Sequence, residues 1–366
     1  MPRALARAGF DVVLLAPTGS LAAKSRYISR IVSISAKAIP MEVLFALIRT
    51  VEDSSPRLLV PCDEMTVRLL FALRLKPPRG LDATASSRLA TLLNDSLGDP
   101  QFYSVSIDKT MLPAAAEALG VRVPQYAVVS RVREAIVHAS TIGYPVAVKR
   151  RFGFAGEGVS IAASQDELIA ACEQLLRPDQ LDLGVNHAPQ LLVQKFIVGA
   201  HHSQALVALE GAPLAGFAWE RASSSHPVKG QTTLLRFIHS PQTRAYSEMI
   251  CRGFGMSGFF NMQYLVDGAT GEAHLLEINR RLVTHMHLGE RVGVDLAAAL
   301  RRGLEGDIPD SALAPDAART DDAIAIFPRE WLRNPASPYL SRYPADIPWD
   351  EPELFAAMLA MRHEQQ

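Results

Sequence analysis

Hydrophobic and polar positions form alternating blocks along the first hundred residues. Segments with helical spacing at 2–8, 41–51 and 64–75 are separated by the apolar runs "DVVLLAP" (11–17) and "RLLVP" (57–61), which are typical of buried strands. Helices that alternate with apolar strands predict βαβ units and a parallel sheet. Because the chain starts on a helix, either its start is trimmed or misassigned, or this Rossmann-like sheet lacks its first strand.

The pattern changes after residue 107. A helix is predicted from Asp108, as its N-cap, to a stop at Gly120. Period-two alternation then predicts antiparallel hairpins, one turning at Glu210-Gly211 and one joining "GFFNMQYLVD" to "AHLLEIN" through "GATG". The other predicted elements are strands 126–129, 145–149, 159–163, 191–197 and 233–238, and helices 132–140, 165–176, 241–252 and 293–303. Beyond 310 the periodicity fades, and we expect a tail that wraps the body and ends in one short helix.

Composition narrows the class of protein. Lys plus Arg (37) nearly equals Asp plus Glu (38), so the charge favours neither nucleic acid nor an anionic membrane. No apolar run reaches the roughly 18 residues of a membrane helix, and Asp11 interrupts the N-terminal apolar stretch, which argues against a signal peptide. Cys62, Cys172 and Cys251 are far apart and odd in number, as expected of reduced thiols. We expect a cytoplasmic protein without nucleic-acid or membrane partners.

Three polar residues stand on the last predicted hairpin. Glu277 and Asn279 are two apart, so they project from one face of their strand, and Gln263 on the partner strand can lie beside them. A carboxylate and two amides offer oxygen ligands that suit Mg²⁺ carrying nucleotide phosphates. A polar, solvent-facing sheet surface is the other interpretation, and for any one of the three residues it is about as good.

A lysine and a glycine-rich loop form the second candidate. Lys149 ends the apolar run "PVAVK", and Gly153, Gly156 and Gly158 follow in "RRFGFAGEG". Glycines let backbone N–H groups approach phosphate oxygens closely. A strand-end lysine that reaches solvent beside an ordinary hairpin remains possible. Lys109 is a weaker candidate for the same role.

The match of "GFGMSG" (253–258) to G-x-G-x-x-G is given little weight. The motif follows a predicted helix and precedes a predicted strand, whereas a dinucleotide fingerprint requires a strand followed by a helix.

The order of these motifs resembles that of the ATP-grasp superfamily. Two lysines, the glycine loop, "LLVQKFIVG", "NMQYLV" and "LLEINRR" follow one another between about 105 and 305. The arrangement of Gln263, Glu277 and Asn279 looks most like the carboxylate–amine ligase type, in the branch that includes the carbamoyl-phosphate synthetase large subunit. The implied fold class is α/β, with an α+β catalytic part of ATP-grasp fold preceded by the Rossmann-like parallel-sheet domain.

The resemblance divides the chain into four parts. They are a Rossmann-like domain (1–105), a small subdomain with the glycine flap (106–193), a large subdomain with the metal site (194–310), and a C-terminal tail packed on the body (311–366).

The resemblance also implies roles for individual residues. The ATP phosphates would be bound by Lys109, Lys149 and the loop at Gly153, Gly156 and Gly158. The adenine hinge would be formed by Gln194, Lys195, Phe196 and Ile197, and the ribose would be contacted by His201. One or two Mg²⁺ ions, with Mn²⁺ as a substitute, would be held by Gln263, Glu277 and Asn279, while Arg281 and Arg221 would bind the transferred phosphoryl group or a substrate carboxylate.

Four positions depart from the superfamily's usual pattern. Lys195 stands in place of an acidic residue, His201 in place of a glutamate, and Arg150 and Arg280 in place of prolines. These changes affect the expected nucleoside contacts and leave the metal set intact.

The implied activity is ATP-dependent joining of a small-molecule carboxylate to an amine, with ADP and phosphate released and a homodimer possible. Two alternatives remain open: a kinase-type phosphoryl transferase on the same fold, and a non-catalytic nucleotide-binding module.

Overall fold

The computed structural model describes residues 1–77, 83–153, 158–177, 189–226, 230–309 and 323–361. Helices and strands are mixed along the whole described chain. The α-helices are α1 (Pro2–Arg7), α2 (Pro40–Ser54), α3 (Glu64–Leu75), α4 (Ala83–Leu97), α5 (Tyr103–Ile107), α6 (Leu112–Ala118), α7 (Val132–Ile142), α8 (Gln165–Leu175), α9 (Pro241–Gly253), α10 (Leu296–Leu304), α11 (Arg329–Arg333), α12 (Pro338–Arg342) and α13 (Pro352–Ala360). The strands are β1 (Val13–Pro17), β2 (Arg30–Ile34), β3 (Tyr126–Val129), β4 (Val146–Arg150), β5 (Val159–Ala162), β6 (Leu191–Lys195), β7 (Gly199–Leu209), β8 (Ala212–Ser224), β9 (Thr232–Ile238), β10 (Gly258–Asp267), β11 (Ala273–Asn279) and β12 (Ala323–Ala325).

The N-terminal segment contains a two-stranded parallel sheet, in which β1 pairs with β2. The expected strand at 57–61 is wrong, because this apolar run is irregular and packs its side chains against the core of the large sheet. Its backbone is bonded elsewhere: the Leu59 N–H donates to Ser96 Oγ (2.8 Å), and the Pro61 carbonyl accepts the Leu282 N–H (3.0 Å). A fuller Rossmann-like sheet is therefore not confirmed in the described residues.

Helix α3 has the predicted bounds and a clear start signal. Asp63 caps it, with its carboxylate accepting the Thr66 N–H at 2.7 Å. Val67, Leu70 and Phe71 recur at helical spacing and are buried against α4. The packing of this face holds α3 in place and, with it, Glu64 at the first position of the helix.

Asp108 does not cap a helix, in contrast to the expectation. Helix α6 begins later, at Leu112, because the Asp108 carboxylate instead closes a turn with the Thr110 N–H (2.8 Å). The same carboxylate accepts Arg151 Nε at 3.0 Å. Asp108 therefore ties the start of α6 to the end of β4.

A four-stranded antiparallel sheet in the order β3-β6-β4-β5 follows, with α7 and α8 packed on one face. The predicted strands and helices of this part are confirmed to within a few residues. Strand β4 is buried along most of its length, which explains its uninterrupted apolar run.

The largest sheet has six antiparallel strands in the order β11-β10-β7-β8-β9-β12. Both predicted hairpins are confirmed. In the first, Glu210 and Gly211 have φ angles of 48° and 80°, the left-handed backbone that a tight hairpin turn requires. One face of the sheet packs against α9 and α6, and the other packs against α10 and the 3₁₀ helix Met286–Val292.

The tail ends in a short helix, α13, as expected, but it contains further elements that were not predicted. The tail adds β12 to the edge of the large sheet beside β9, and α11, α12 and α13 follow it. The free side of β12 is bonded in turn, since the Ala325 N–H donates to the Pro344 carbonyl (2.9 Å). At the opposite edge the Leu275 N–H of β11 donates to the Arg122 carbonyl (2.8 Å). Short strands joined by proline-rich turns hide this order from a periodicity analysis.

The "GFGMSG" segment follows α9 and precedes β10, as predicted. Its glycines allow close backbone packing: the Gly255 carbonyl accepts the Asp99 N–H (2.9 Å), and a Cβ on Gly98 would lie 2.0 Å from that carbonyl oxygen. The motif is therefore structural.

Among the described residues, no helix combines the length and apolar character needed to cross a bilayer.

Candidate active site

The structure brings together the three residues predicted as metal ligands. In the β10–β11 hairpin, Gln263 is the direct partner of Glu277, and Asn279 follows two residues later on the same face. The Asn279 Nδ2 donates to Glu277 Oε1 at 3.2 Å. Asn261 pairs with Asn279, and its buried Oδ1 has no hydrogen-bond partner in the described part of the chain. Asn261 was missed, although its position two residues before Gln263 was a signal.

Both predicted phosphate lysines reach this carboxylate from elsewhere in the fold. The Lys109 Nζ lies 3.5 Å from Glu277 Oε2 and donates to the Gly153 carbonyl at 2.7 Å. Lys149, buried at the end of β4, is close enough for its charge to act on Glu277.

These charges shift each other's pKa values. Burial would raise the pKa of Glu277, but Lys109, Lys149, the Asn279 amide and Arg281 together hold it below its ordinary value. Burial lowers the pKa of Lys149 to about 8, against the attraction of Glu277. Lys149 and Glu277 thus each oppose the shift that burial causes in the other's pKa.

The glycine flap starts from a firm base. The Arg151 carbonyl accepts the Lys109 N–H (2.9 Å), and the ring of Phe152 lies 4.5 Å from the Arg68 guanidinium carbon of α3. Gly153 has a φ of 144°, a backbone that favours glycine. Gly156 lies outside the described residues, and Gly158, on the far side of the loop, has a φ of 73°.

The two arginines predicted as anion binders lie around the same carboxylate. Arg281 Nη2 donates to Asn279 Oδ1 at 3.1 Å, and its Nε lies 3.9 Å from Glu64 Oε2. Arg221 has a buried Nε without a hydrogen-bond partner among the described residues. Burial lowers the pKa of Arg221, and the charge of Glu277 opposes this shift.

Arg280 faces away from the site. Its guanidinium donates to the Leu97 carbonyl and lies 5.9 Å from the rings of Phe71 and Phe260. Burial lowers its pKa to about 10. Because Arg280 follows Asn279 directly in the chain, its side chain projects from the opposite face of the sheet. There it joins the N-terminal segment to the large sheet.

Glu64 is a site residue that the sequence analysis missed. It lines one cleft together with Lys109, Gly153, Glu277 and Asn279. Burial raises its pKa, and the nearby cations Lys109 and Arg281 only partly offset that effect. Its position at the first turn of α3, far from the motifs in sequence, gave no signal.

The tail contributes a third arginine. Burial and the like charge of Arg281 lower the pKa of Arg329, which begins α11. His285 is near enough to Arg329 and Arg221 for their charges to act on it, and it packs edge-on against Trp219 (centroids 4.5 Å apart). Neither of its ring nitrogens has a hydrogen-bond partner in the described residues. Burial, followed by the Arg329 charge, lowers the pKa of His285 to about 3.

The predicted hinge lies at the end of β6. The N–H groups of Lys195 and Phe196 donate to the carbonyls of Gln125 (2.8 Å) and Pro145 (3.2 Å), and Lys195 Nζ points away to the Ile142 carbonyl (2.6 Å). These N–H groups are thus already used within the fold.

Gln194 and Ile197 of the hinge are buried, and the Gln194 Oε1 has no partner in the described part. His201 pairs with Leu265 on the sheet face that carries Gln263. Burial, with Arg221 and Lys149 nearby, lowers the pKa of His201 to about 4, so this imidazole is neutral near pH 7.

The cleft as a whole has an excess of positive charge. Cations are contributed by both lysines and three arginines, against the two carboxylates Glu64 and Glu277. Such an excess suits a polyanion that brings its own divalent ion.

The fold and this cleft are those expected of a nucleotide-binding protein, and comparisons with known families add sequence relatives and solved structures. Residues 108–210 match the family model described as carbamoyl-phosphate synthase L chain, ATP binding domain. This range contains Lys109, Lys149 and the flap, and it ends before the metal set. The chain is 25% identical to the carbamoyl phosphate synthase large chain of Thermus thermophilus over 198 residues, which are 52% of this chain and 18% of that protein. It is 23% identical to the mitochondrial carbamoyl-phosphate synthase [ammonia] of Rattus norvegicus over 216 residues, 57% of this chain and 14% of that protein.

The chain therefore spans less than a fifth of the length of these relatives. Solved structures share the fold over a larger part of this chain than the sequence relatives cover. Biotin carboxylase from Campylobacter jejuni has a TM-score of 0.66 at 16% identity, over 88% of this chain and 71% of that one. The biotin carboxylase domain of the 2-oxoglutarate carboxylase of Hydrogenobacter thermophilus has a TM-score of 0.63 at 17% identity, over 88% and 70%. The match over 108–210 and the two carbamoyl-phosphate synthase relatives confirm the resemblance stated from the motifs, and the solved structures show the fold.

Proposed function

We propose that the chain is an ATP-dependent ligase that joins a carboxylate to an amine through an acyl phosphate. The observation that carries this proposal is the convergence of Lys109, Lys149, Glu277, Asn279 and Arg281 on one cleft beside the base of the flap. The proposal agrees with the relatives, which are described as carbamoyl-phosphate synthases, and with a solved neighbour that holds MgADP.

The two lysines bind the ATP phosphates, and the flap containing Gly153, Gly156 and Gly158 covers them. The hinge Gln194–Ile197 contacts adenine through its carbonyl groups and flanking apolar side chains. His201 contacts the ribose as a neutral imidazole.

Gln263, Glu277 and Asn279 fit one or two Mg²⁺ ions because their side-chain oxygens are hard ligands, and Mn²⁺ would fit the same set. A single carboxylate balances only part of the charge of a divalent ion, so the residues bind it together with the nucleotide phosphates. The bound ion would neutralise charge on the transferring phosphoryl group.

Arg281, with Arg221 and Arg329 nearby, binds the substrate carboxylate. The γ-phosphoryl group passes to a carboxylate oxygen, which gives ADP and an acyl phosphate. The amine then attacks the acyl carbon; a C–N bond forms and the C–O bond to phosphate breaks. The residues position and neutralise the reactants, while the flap excludes the water that would hydrolyse the intermediate.

The proposed partners are small-molecule carboxylates and amines in the cytoplasm, without nucleic acid or membrane. One solved neighbour is described as a dimer, and we propose a homodimer here as well. Product analysis separates the proposal from its rivals: a ligase releases ADP and free phosphate only with both substrates, a kinase retains a phosphorylated product, and a binding module forms neither.

Replacing Glu277 with Gln tests the central assignment. The variant keeps the shape of the side chain but removes the charge that faces both lysines and the metal. We expect turnover to fall about 100-fold or more while ATP affinity changes only a few-fold. Steady-state phosphate release and ATP titration measure the two quantities.

Glu290→Gln serves as the matched control, because Glu290 is exposed. A Glu277→Gln enzyme with turnover within a few-fold of that control would contradict the metal assignment.

A further inference from the structure

Glu64 is the second carboxylate of the cleft, and its charge is compensated less completely than that of Glu277. Glu277 has an ammonium at 3.5 Å and an amide N–H donor at 3.2 Å, and its neighbours outweigh burial. At Glu64 burial remains the stronger effect, and the ion pair with Arg281 is long, 3.9 Å. A buried carboxylate in this condition is stabilised by one more cation.

The position of Glu64 relative to Arg281 indicates which cation this is. Arg281 faces Asn279 with Nη2 (3.1 Å) and Glu64 with Nε (3.9 Å), so its guanidinium lies between strand β11 and helix α3. An acyl group held by Arg281 is therefore next to Glu64. A nucleophile must come within about 3–3.5 Å of the acyl carbon in a reactive geometry, and a group bound to Glu64 is placed at that side.

The neighbouring charges favour a single compact cation over a divalent one. A metal ion at Glu64 would lie close to both Arg281 and Lys109, which already act on this carboxylate. A primary ammonium carries one charge and three N–H donors, which a carboxylate accepts directly.

We propose that Glu64 binds the protonated amino group of the amine substrate, accepts the proton that this nitrogen must lose before it attacks the acyl carbon, and makes the enzyme selective for cationic amines. This inference rests on the proposed ligase function. The class includes ammonium itself and the α-amino group of an amino acid, and the structure assigns Glu64 as the residue that recognises their shared charge.

The test compares amines that differ in charge. Wild type, Glu64→Gln and Glu52→Gln are incubated with MgATP, a panel of carboxylic acids and hydroxylamine, which is mostly uncharged at neutral pH and traps acyl phosphates as hydroxamates. Ammonium and individual amino acids then replace hydroxylamine. Glu52 is exposed on α2 and gives the control for loss of a surface carboxylate.

We expect Glu64→Gln to raise the KM for cationic amines at least about tenfold more than the KM for hydroxylamine, as for a lost hydrogen bond to a charged group. Retained hydroxamate formation also reports that the variant is folded. Glu64→Asp keeps the charge and should keep the preference for cationic amines, which gives a second readout should Glu64→Gln fail to fold. If the KM for ammonium rises in Glu64→Gln as much as the KM for amino acids, Glu64 recognises the ammonium charge itself and needs no larger amino acid.

Three outcomes overturn the inference. They are an unchanged KM for cationic amines in Glu64→Gln, an equal loss with hydroxylamine and cationic amines, and a rise in the Mg²⁺ concentration required in place of the rise in amine KM. A wild-type enzyme that forms neither hydroxamate nor amide with any acid removes the ligase function, and the inference with it. Wild-type activity combined with any of the three refutes the role of Glu64 alone.

Discussion

Lys149 is a cleft residue whose charge depends on pH in a measurable range. Burial lowers its pKa to about 8, so its protonated fraction declines as the pH rises above that value. Because the protonated form binds phosphate, we expect the Kd for ATP to rise by about tenfold per pH unit well above pH 8. Lys149→Arg keeps its charge over this range and should remove the pH dependence. Calorimetric ATP titrations between neutral and alkaline pH measure both slopes, and parallel slopes would refute the assignment.

Residues were predictable where local spacing determines their neighbours. Glu277 and Asn279 share a face because they are two apart on a strand, and Gln263 joins them through a hairpin readable from its alternation. Glu64 reaches the cleft, and Arg329 comes close enough to Arg281 for their charges to interact, from distant elements. No local pattern encodes that proximity, because it arises from tertiary packing.

At the scale of elements, the close packing of Gly98 against Gly255 gives a stability prediction. Gly98 has a φ of 88°, and an added Cβ would lie 2.0 Å from the Gly255 oxygen. We expect Gly98→Ala to lose about 3 kcal/mol of stability from backbone strain and overpacking together. The loss is measured as a decrease in the midpoint temperature of thermal unfolding.

Gly19→Ala is the matched control. Gly19 has a nearly equal φ of 85° but nothing within 4 Å of an added Cβ. Its substitution should cost only the strain, about 1 kcal/mol. Equal shifts in the two variants would show that the contact with Gly255 contributes nothing.

Most elements were predictable because their apolar faces are periodic. The run at 57–61 failed as a strand since it is apolar for a different reason: it fills a gap against the large sheet without pairing its backbone. Strand β2 was missed because its residues are largely exposed and lack an apolar signature.

At the scale of the whole molecule, the tail is proposed as part of the site through Arg329. Its guanidinium has no hydrogen bond or ion pair with the described residues, so Arg329→Gln should leave thermal stability nearly unchanged. We expect the KM for the carboxylate substrate to rise about tenfold, because one cation of the anion site is lost. ATP affinity should stay within a few-fold.

Arg342→Gln, at an exposed position of the same tail, is the control. Kinetics with any acid that supports phosphate release compare the two variants. Indistinguishable KM values would confine the tail to a structural role.

The strand supplied by the tail also limits how two copies can assemble. One border of the large sheet is closed by β12 and the Pro344 carbonyl behind it, and the other is interrupted where Arg122 bonds Leu275. Strand-to-strand joining of subunits needs a row of free backbone groups, and these contacts occupy part of that row at each border. A homodimer that joined its large sheets edge to edge would therefore have to displace them, whereas one that meets through side chains elsewhere on the surface would leave the sheet undisturbed.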